Sequence, residues 1–154
     1  MEHFCMSLKD RINVELKEAM RNKDAVGRTV LRTMLSEIRN AEIAKKKELD
    51  DEGILAVLTK QAQQRRDSIE AFESADRPDL VENETAELNI ISSYLPERLS
   101  DSELRELIDA VFEEVNPGGP SDMGKVMGVI MQKVQGRADG KIISSIVSTK
   151  LREV

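Results

Sequence analysis

The sequence predicts an all-α protein in two parts, an N-terminal four-helix part followed by a small three-helix tail. Three observations carry this expectation. Apolar residues make up 40% of the 154-residue chain but aromatic ones only 3%, so the core must come from Leu, Ile, Val, Met and Ala. Those residues, beside many Glu, Lys, Arg and Gln, favour helix over strand. Apolar positions recur at three- and four-residue spacing between residues that start or stop helices, and no segment reads as a strand.

The elements follow in order. Met6-Ser7-Leu8 resembles an alternative start, which leaves residues 1–6 as an expected disordered extension. Ser7 can cap a first helix reaching about Asn22, with Leu8, Ile12, Leu16 and Met20 inward. Asp24 can cap a second, to about Lys46, with Leu31, Met34, Leu35 and Ile38 inward. Asp50 or Asp51 opens a third, to about Ser74. Pro78 suits the first turn of a fourth, because its missing N–H has no intrahelical partner there. That helix turns Leu80, Val81, Leu88 and Ile91 inward. Tyr94-Leu95-Pro96 breaks the pattern, since a residue before Pro is pushed out of helical geometry. Residues 1–95 and 96–154 are therefore expected to form separate domains.

In the tail, Ser100 and Glu103 form a capping box for a helix carrying Leu104, Leu107, Ile108, Val111 and Val115. Asn116-Pro117-Gly118-Gly119-Pro120 stops it. Ser121 or Asp122 is expected to cap the sixth helix, whose Met123, Val126, Met127, Ile130, Met131 and Val134 keep helical spacing, and Gly136 to end it. Asp139 can cap the seventh, with Ile142, Ile143, Ile146 and Val147 inward.

Composition excludes several chemistries. One His and one Cys cannot build a Cys/His zinc centre, and no phosphate-binding glycine loop is present. His3 lies near the terminus, so a Ser-His-Asp triad is not expected, and Cys5 has no identifiable activating base. No catalytic residue, metal or cofactor is assigned. No apolar run approaches the length of a membrane span. The single cysteine and polar N-terminus predict a cytoplasmic protein without a membrane partner.

The net charge is −6, yet it is unevenly spread. From Arg28 to Lys47 six bases face two acids, and from Ser121 to Val154 six bases face three acids, whereas Glu97 to Asn116 holds seven acids against two bases. On the second helix Arg28, Arg32, Arg39 and Lys46 fall within about a 40° arc. They form a track for phosphates or an acidic partner, or they lie over the core edge and pair with acids of neighbouring helices. Arg65 points with the apolar side of the third helix, towards Ile54, Leu58, Ala62, Ile69 and Phe72. Such a charge needs a partner. Glu84 or Glu87 would make it a structural ion pair, and an anion site is the alternative.

The sixth helix contains Gly124 and Gly128 inside its apolar pattern. Each interior Gly costs about 1 kcal/mol relative to Ala. Close helix packing explains them, or close approach of a ligand backbone with Lys125, Lys133, Arg137 and Lys141 supplying charge.

These segments resemble a family. Q-R-R-D-S-I-E-A-F from Gln64, R-P-D-L-V-E-N-E from Arg77, Y-L-P at Tyr94 and S-D-M-G-K-V-M-G-V-I-M from Ser121 are similar to the YqeY-like proteins of the GatB/YqeY family. The tail also resembles the C-terminal domain of the B subunit of the tRNA-dependent amidotransferase, at Gly128, Met131, Lys133, Gly136 and Ala138. That resemblance implies a tRNA as partner, bound through Gly124, Lys125, Gly128, Lys133, Gly136, Arg137 and Lys141. A protein partner of the tail is the alternative. The chain departs from the B subunit at Asp139-Gly140, where Asn-Pro is common. Nothing resembles that enzyme's catalytic cradle, so the glutamine-dependent carbon–nitrogen ligase label attached to the family implies no activity of this chain alone.

Overall fold

The computed structural model describes residues 6–154. The expected extension, with His3 and Cys5, therefore lies outside the described residues except for Met6, which is exposed. Among the described residues the chain forms seven α-helices and one 3-10 turn, and no strand. The described residues divide into two compact units, one ending at Leu95 and the other running from Pro96 to Val154.

The first unit holds α1 (Leu8–Arg21), α2 (Ala25–Lys45), α3 (Asp51–Ser74) and α4 (Pro78–Ser92). Three of them start on a side-chain cap that occupies an otherwise unsatisfied backbone donor. Ser7 Oγ accepts from Asp10 N, Asp24 from Gly27 N at 3.0 Å and Asp50 from Gly53 N at 2.8 Å. Gly27 lies so close to the Asp24 carboxylate that a side chain there would collide with it. The core gathers Ile12, Ala19, Val30, Leu31, Met34, Ile38, Ile54, Leu58, Ala62, Ile91 and Tyr94.

Met20 departs from its expected inward place and is 50% exposed, while Ala19 is buried. Four-residue steps drift by about 40° each on a 3.6-residue helix, so the fourth member of such a series leaves the face. Lys46 departs too. It is the C-cap of α2 in left-handed backbone (φ 55°), so it does not continue the arginine line of that helix.

Two polar clusters tie this core. Arg65 Nη1 of α3 lies 3.0 Å from Glu84 Oε2 and also pairs with Glu87, both on α4. Tyr94 donates its hydroxyl to Glu15, whose other oxygen accepts from Arg11 Nε at 3.1 Å, and the Arg11 guanidinium lies 4.3 Å from the centre of the Tyr94 ring.

The second unit holds α5 (Asp101–Val115), a 3-10 turn (Pro120–Asp122), α6 (Met123–Val134) and α7 (Gly140–Arg152). The Ser100–Glu103 capping box forms with both of its hydrogen bonds. Leu104, Ile108 and Val111 of α5, Val126, Ile130 and Val134 of α6, and Ile143, Val147 and Leu151 of α7 make a separate aliphatic core. Asp122 sits at the N-cap of α6 but makes no cap bond. Its carboxylate accepts instead from Gly118 N at 2.7 Å, closing the Pro-Gly-Gly-Pro loop. Met131 (42% exposed) and Ile142 (49% exposed) leave the core because Val126-Ile130-Val134 and Ile143-Val147-Leu151 hold the centres of their faces.

Arg65→Met should leave Glu84 and Glu87 facing each other half-buried, and should lower stability by about 2–3 kcal/mol in denaturant unfolding. Burial, and then the bond to Glu15, push the Tyr94 hydroxyl well above its ordinary range. The folded state thus disfavours ionisation that the unfolded chain undergoes near about pH 10. This contribution is complete below that pH and is lost as pH rises above it. Tyr94→Phe should flatten the alkaline fall in a melting-temperature profile taken to about pH 11.

Candidate nucleic-acid interface

On α6 both glycines point outward. A Cβ built at Gly124 or at Gly128 meets nothing within 4 Å, so the backbone there borders open space. Close packing of neighbouring helices does not account for them. Lys125, between them in sequence, is exposed and makes no ion pair or side-chain hydrogen bond among the described residues. Gly124, Lys125 and Gly128 therefore form one outward patch, with the backbone accessible and a free ammonium at its side.

The other tail residues do not join that patch. Lys133 lies about 140° round the helix from Gly128, and its Nζ is 2.8 Å from Glu114 Oε2 of α5. Gln135 (φ 50°) and Gly136 (φ 76°) take successive left-handed conformations that end α6 and turn the chain towards α7. Glycine enters that region without the steric cost that Gln135 bears, so the turn accounts for Gly136. Arg137 Nε donates to Glu97 O at 2.8 Å, and Leu99 N donates to Arg137 O at 2.9 Å. This side chain pins the segment leading into α5. Asp139 caps α7 through Lys141 N at 2.8 Å, a use for the acid that Asn would also serve.

Lys141 lies instead in a groove between α5 and α7. The groove encloses about 470 Å³ and is lined by Asp101, Arg105, Lys141, Ile142, Ser145 and Ile146. It continues past Asp109 and Thr149 to Lys150, which pairs with Asp109 and lies 5.2 Å from the centre of the Phe112 ring. Arg105 and this groove were not read from the sequence.

In the first unit, α2 carries Arg28, Arg32 and Arg39, all exposed and without an ion pair or side-chain hydrogen bond among the described residues. Pairing with neighbouring acids does not occur for them. Glu42, the acid nearest this line on α2, pairs instead with Lys9 at 2.7 Å. Arg65 is engaged by two carboxylates, which leaves no positive field there for an anion. Beside it lies Gln61, 7% exposed, whose Oε1 has no hydrogen-bond partner among the described residues. Gln61 lies only about 20° from Ile54 in direction, so its burial was legible at 100° per residue.

No group of His, Cys, Asp and Glu among the described residues could hold a metal ion, and none of their helices is long and apolar enough to cross a membrane. The molecule is thus a helical two-unit protein whose distinctive features are outward faces. The Yqey-like protein family matches residues 9–151, and the chain belongs to that family. It is 36% identical over 146 residues to altered inheritance of mitochondria protein 41, mitochondrial, of Pyrenophora tritici-repentis, covering 94% of this chain and 78% of that one. The proteins of the same name from Lachancea thermotolerans and Saccharomyces cerevisiae are 38% and 39% identical over 110 and 104 residues. Those matches cover 70% and 63% of this chain, and 59% and 56% of the yeast proteins, so less than two thirds of each yeast protein is spanned. The cytoplasmic location expected from composition is corrected by these relatives, which are named mitochondrial proteins. A single cysteine excludes an internal disulfide and says nothing more of compartment.

Because open space surrounds it, Gly128→Ala should stabilise the second unit by up to about 1 kcal/mol. Gly124→Ala should gain less, since it lies in the first turn. Chemical denaturation of the two variants measures both, and a loss of stability would show that the glycine backbone is needed within the fold.

Proposed function

We propose that this protein is a non-catalytic accessory module that docks on folded RNA of the tRNA class through the outward patch of α6. The observation that carries this reading is the pair of glycines facing open space beside an unpaired lysine. Their cost to the helix is offset by no contact within the fold, and a backbone without side chains admits a sugar–phosphate strand closely. The likeness of the tail to the amidotransferase B subunit supports tRNA as the class of RNA. The scarcity of aromatic residues favours recognition by shape and backbone over stacking on bases. The names of the relatives support mitochondria as the compartment.

Fluorescence anisotropy with labelled tRNA tests the reading. Binding should weaken as salt rises. Lys125→Glu should reduce affinity about five-fold, as expected for one phosphate contact reversed. Gly128→Leu should reduce it without lowering the melting temperature. Unchanged affinity in both variants would remove α6 from the interface.

A second reading, a protein–protein adaptor, is favoured by Met131 and Ile142, two exposed apolar side chains on neighbouring helices. The Met131 Cε lies 3.9 Å from where a Cβ at Gly140, the first residue of α7, would stand, so Met131 lies against the start of that helix. In that case Met131→Ser together with Ile142→Ser abolishes capture of a partner protein while tRNA affinity is retained. No amidation step is assigned to the chain. With glutamine and a mischarged tRNA, the purified protein alone is expected to form no amidated product.

A further inference from the structure

The first unit offers a separate surface. Val30, Leu31, Met34 and Ile38 of α2 are buried in the core, which fixes the opposite side of the helix towards solvent. From the direction of Arg28 round to that of Asn40, about 120° of helix surface, no acidic residue occurs. The arginines at 28, 32 and 39 stand within about 40° of one another over about 16 Å of helix length. Like charges four residues apart cost a helix a few tenths of a kcal/mol unless something neutralises them. Here no described residue does so.

We propose that this acid-free face of α2 is a contact for the phosphodiester backbone of RNA, with Arg28, Arg32 and Arg39 each taking phosphate oxygens. The proposal rests on the RNA reading above for its choice of polyanion, but it belongs to the other unit and does not need α6. Three features favour a nucleic acid over an acidic protein. Guanidinium groups bind phosphate oxygens in bidentate fashion. Ser36 and Asn40 border the line on one side with short polar groups of the kind that supplement phosphate contacts, while Glu42, on its other side, is neutralised by Lys9. Ile43 is the one large apolar residue in that sector, too little for the apolar centre around which a protein interface is built. The contact reads charge and shape, so it does not discriminate sequence.

The full chain is titrated with two probes, a tRNA and a plain 20-base-pair RNA duplex of arbitrary sequence, between about 50 and 200 mM salt. Arg28→Gln, Arg32→Gln and Arg39→Gln combined should keep the melting temperature, because Gln matches Arg in helix propensity and the sites are exposed. The triple variant should bind duplex RNA at least about ten-fold more weakly at low salt, with the slope of log affinity against log salt reduced by about two to three. The corresponding triple Lys variant should retain most of the affinity.

If the triple Gln variant matches the unaltered protein in affinity and slope, the α2 proposal is overturned while the α6 reading stands. If duplex binding needs the arginines but tRNA binding ignores Lys125→Glu and Gly128→Leu, the α2 proposal stands and the α6 reading falls. Binding of neither RNA at low salt overturns the proposal. Arginine-dependent binding of polyglutamate in place of RNA also overturns it, in favour of an acidic protein partner.

Discussion

The first unit depends on one charge placed where an apolar residue would ordinarily stand. Arg65 projects from the inward side of α3 and is met by Glu84 and Glu87, three residues apart and so on one side of α4. A partly buried guanidinium is tolerated only with its carboxylates in place, so it specifies how α4 lies on α3 more than it stabilises the pair. With α4 set, Ile91 on it and Tyr94 just beyond it join the core that also holds Val30, Met34 and Ile38 of α2. The orientation of α2 follows, and with it the direction of its arginines. The exposed arginine face of α2 is therefore fixed by an ion pair between two other helices.

Much of this was legible in the chain. The caps Ser7, Asp24, Asp50, Ser100 and Asp139 each found the backbone donor that their spacing implied, because a cap bond is local and needs no tertiary information. What failed was the placing of residues at the margins of faces. Met20 drifts off its face as the fourth member of a four-residue series. Met131 and Ile142 stand about 100° from Ile130 and Ile143, which hold the buried centres of their faces. Lys46 escaped for another reason. The end of α2 turns left-handed there, and lysine carries no signal for that backbone.

Arg65 found the partners that its sequence named, but the partners of the other charges were the least legible feature, because pairing joins residues far apart in sequence. The tail appears basic from Ser121 onward, yet Lys133 is held by Glu114 and Arg137 by the Glu97 carbonyl. The stretch from Glu97 to Asn116, which appears simply acidic, supplies several of those partners. In the second helix the outcome is reversed. Its line of arginines also looked suited to pairing, but none of the three makes an ion pair among the described residues, and Glu42, three residues from Arg39, is held by Lys9. Formal charge along a segment thus overstates the tail and understates α2, and only the three-dimensional pairing separates the two.

The glycines of α6 have a consequence for how the second unit opens. The helix touches both α5 and α7, and its Val126, Ile130 and Val134 complete the core that those helices share. Low intrinsic propensity at the edge of a fold produces a frayed segment, but here it lies in the middle. Opening α6 removes the packing partner of both neighbours, so the cheapest excursion is loss of the whole unit rather than of one helix. Amides of α5 and α7 should then exchange with solvent at a common free energy set by a helix to which they do not belong. Whatever settles on the bare backbone of α6 would tighten all three helices together.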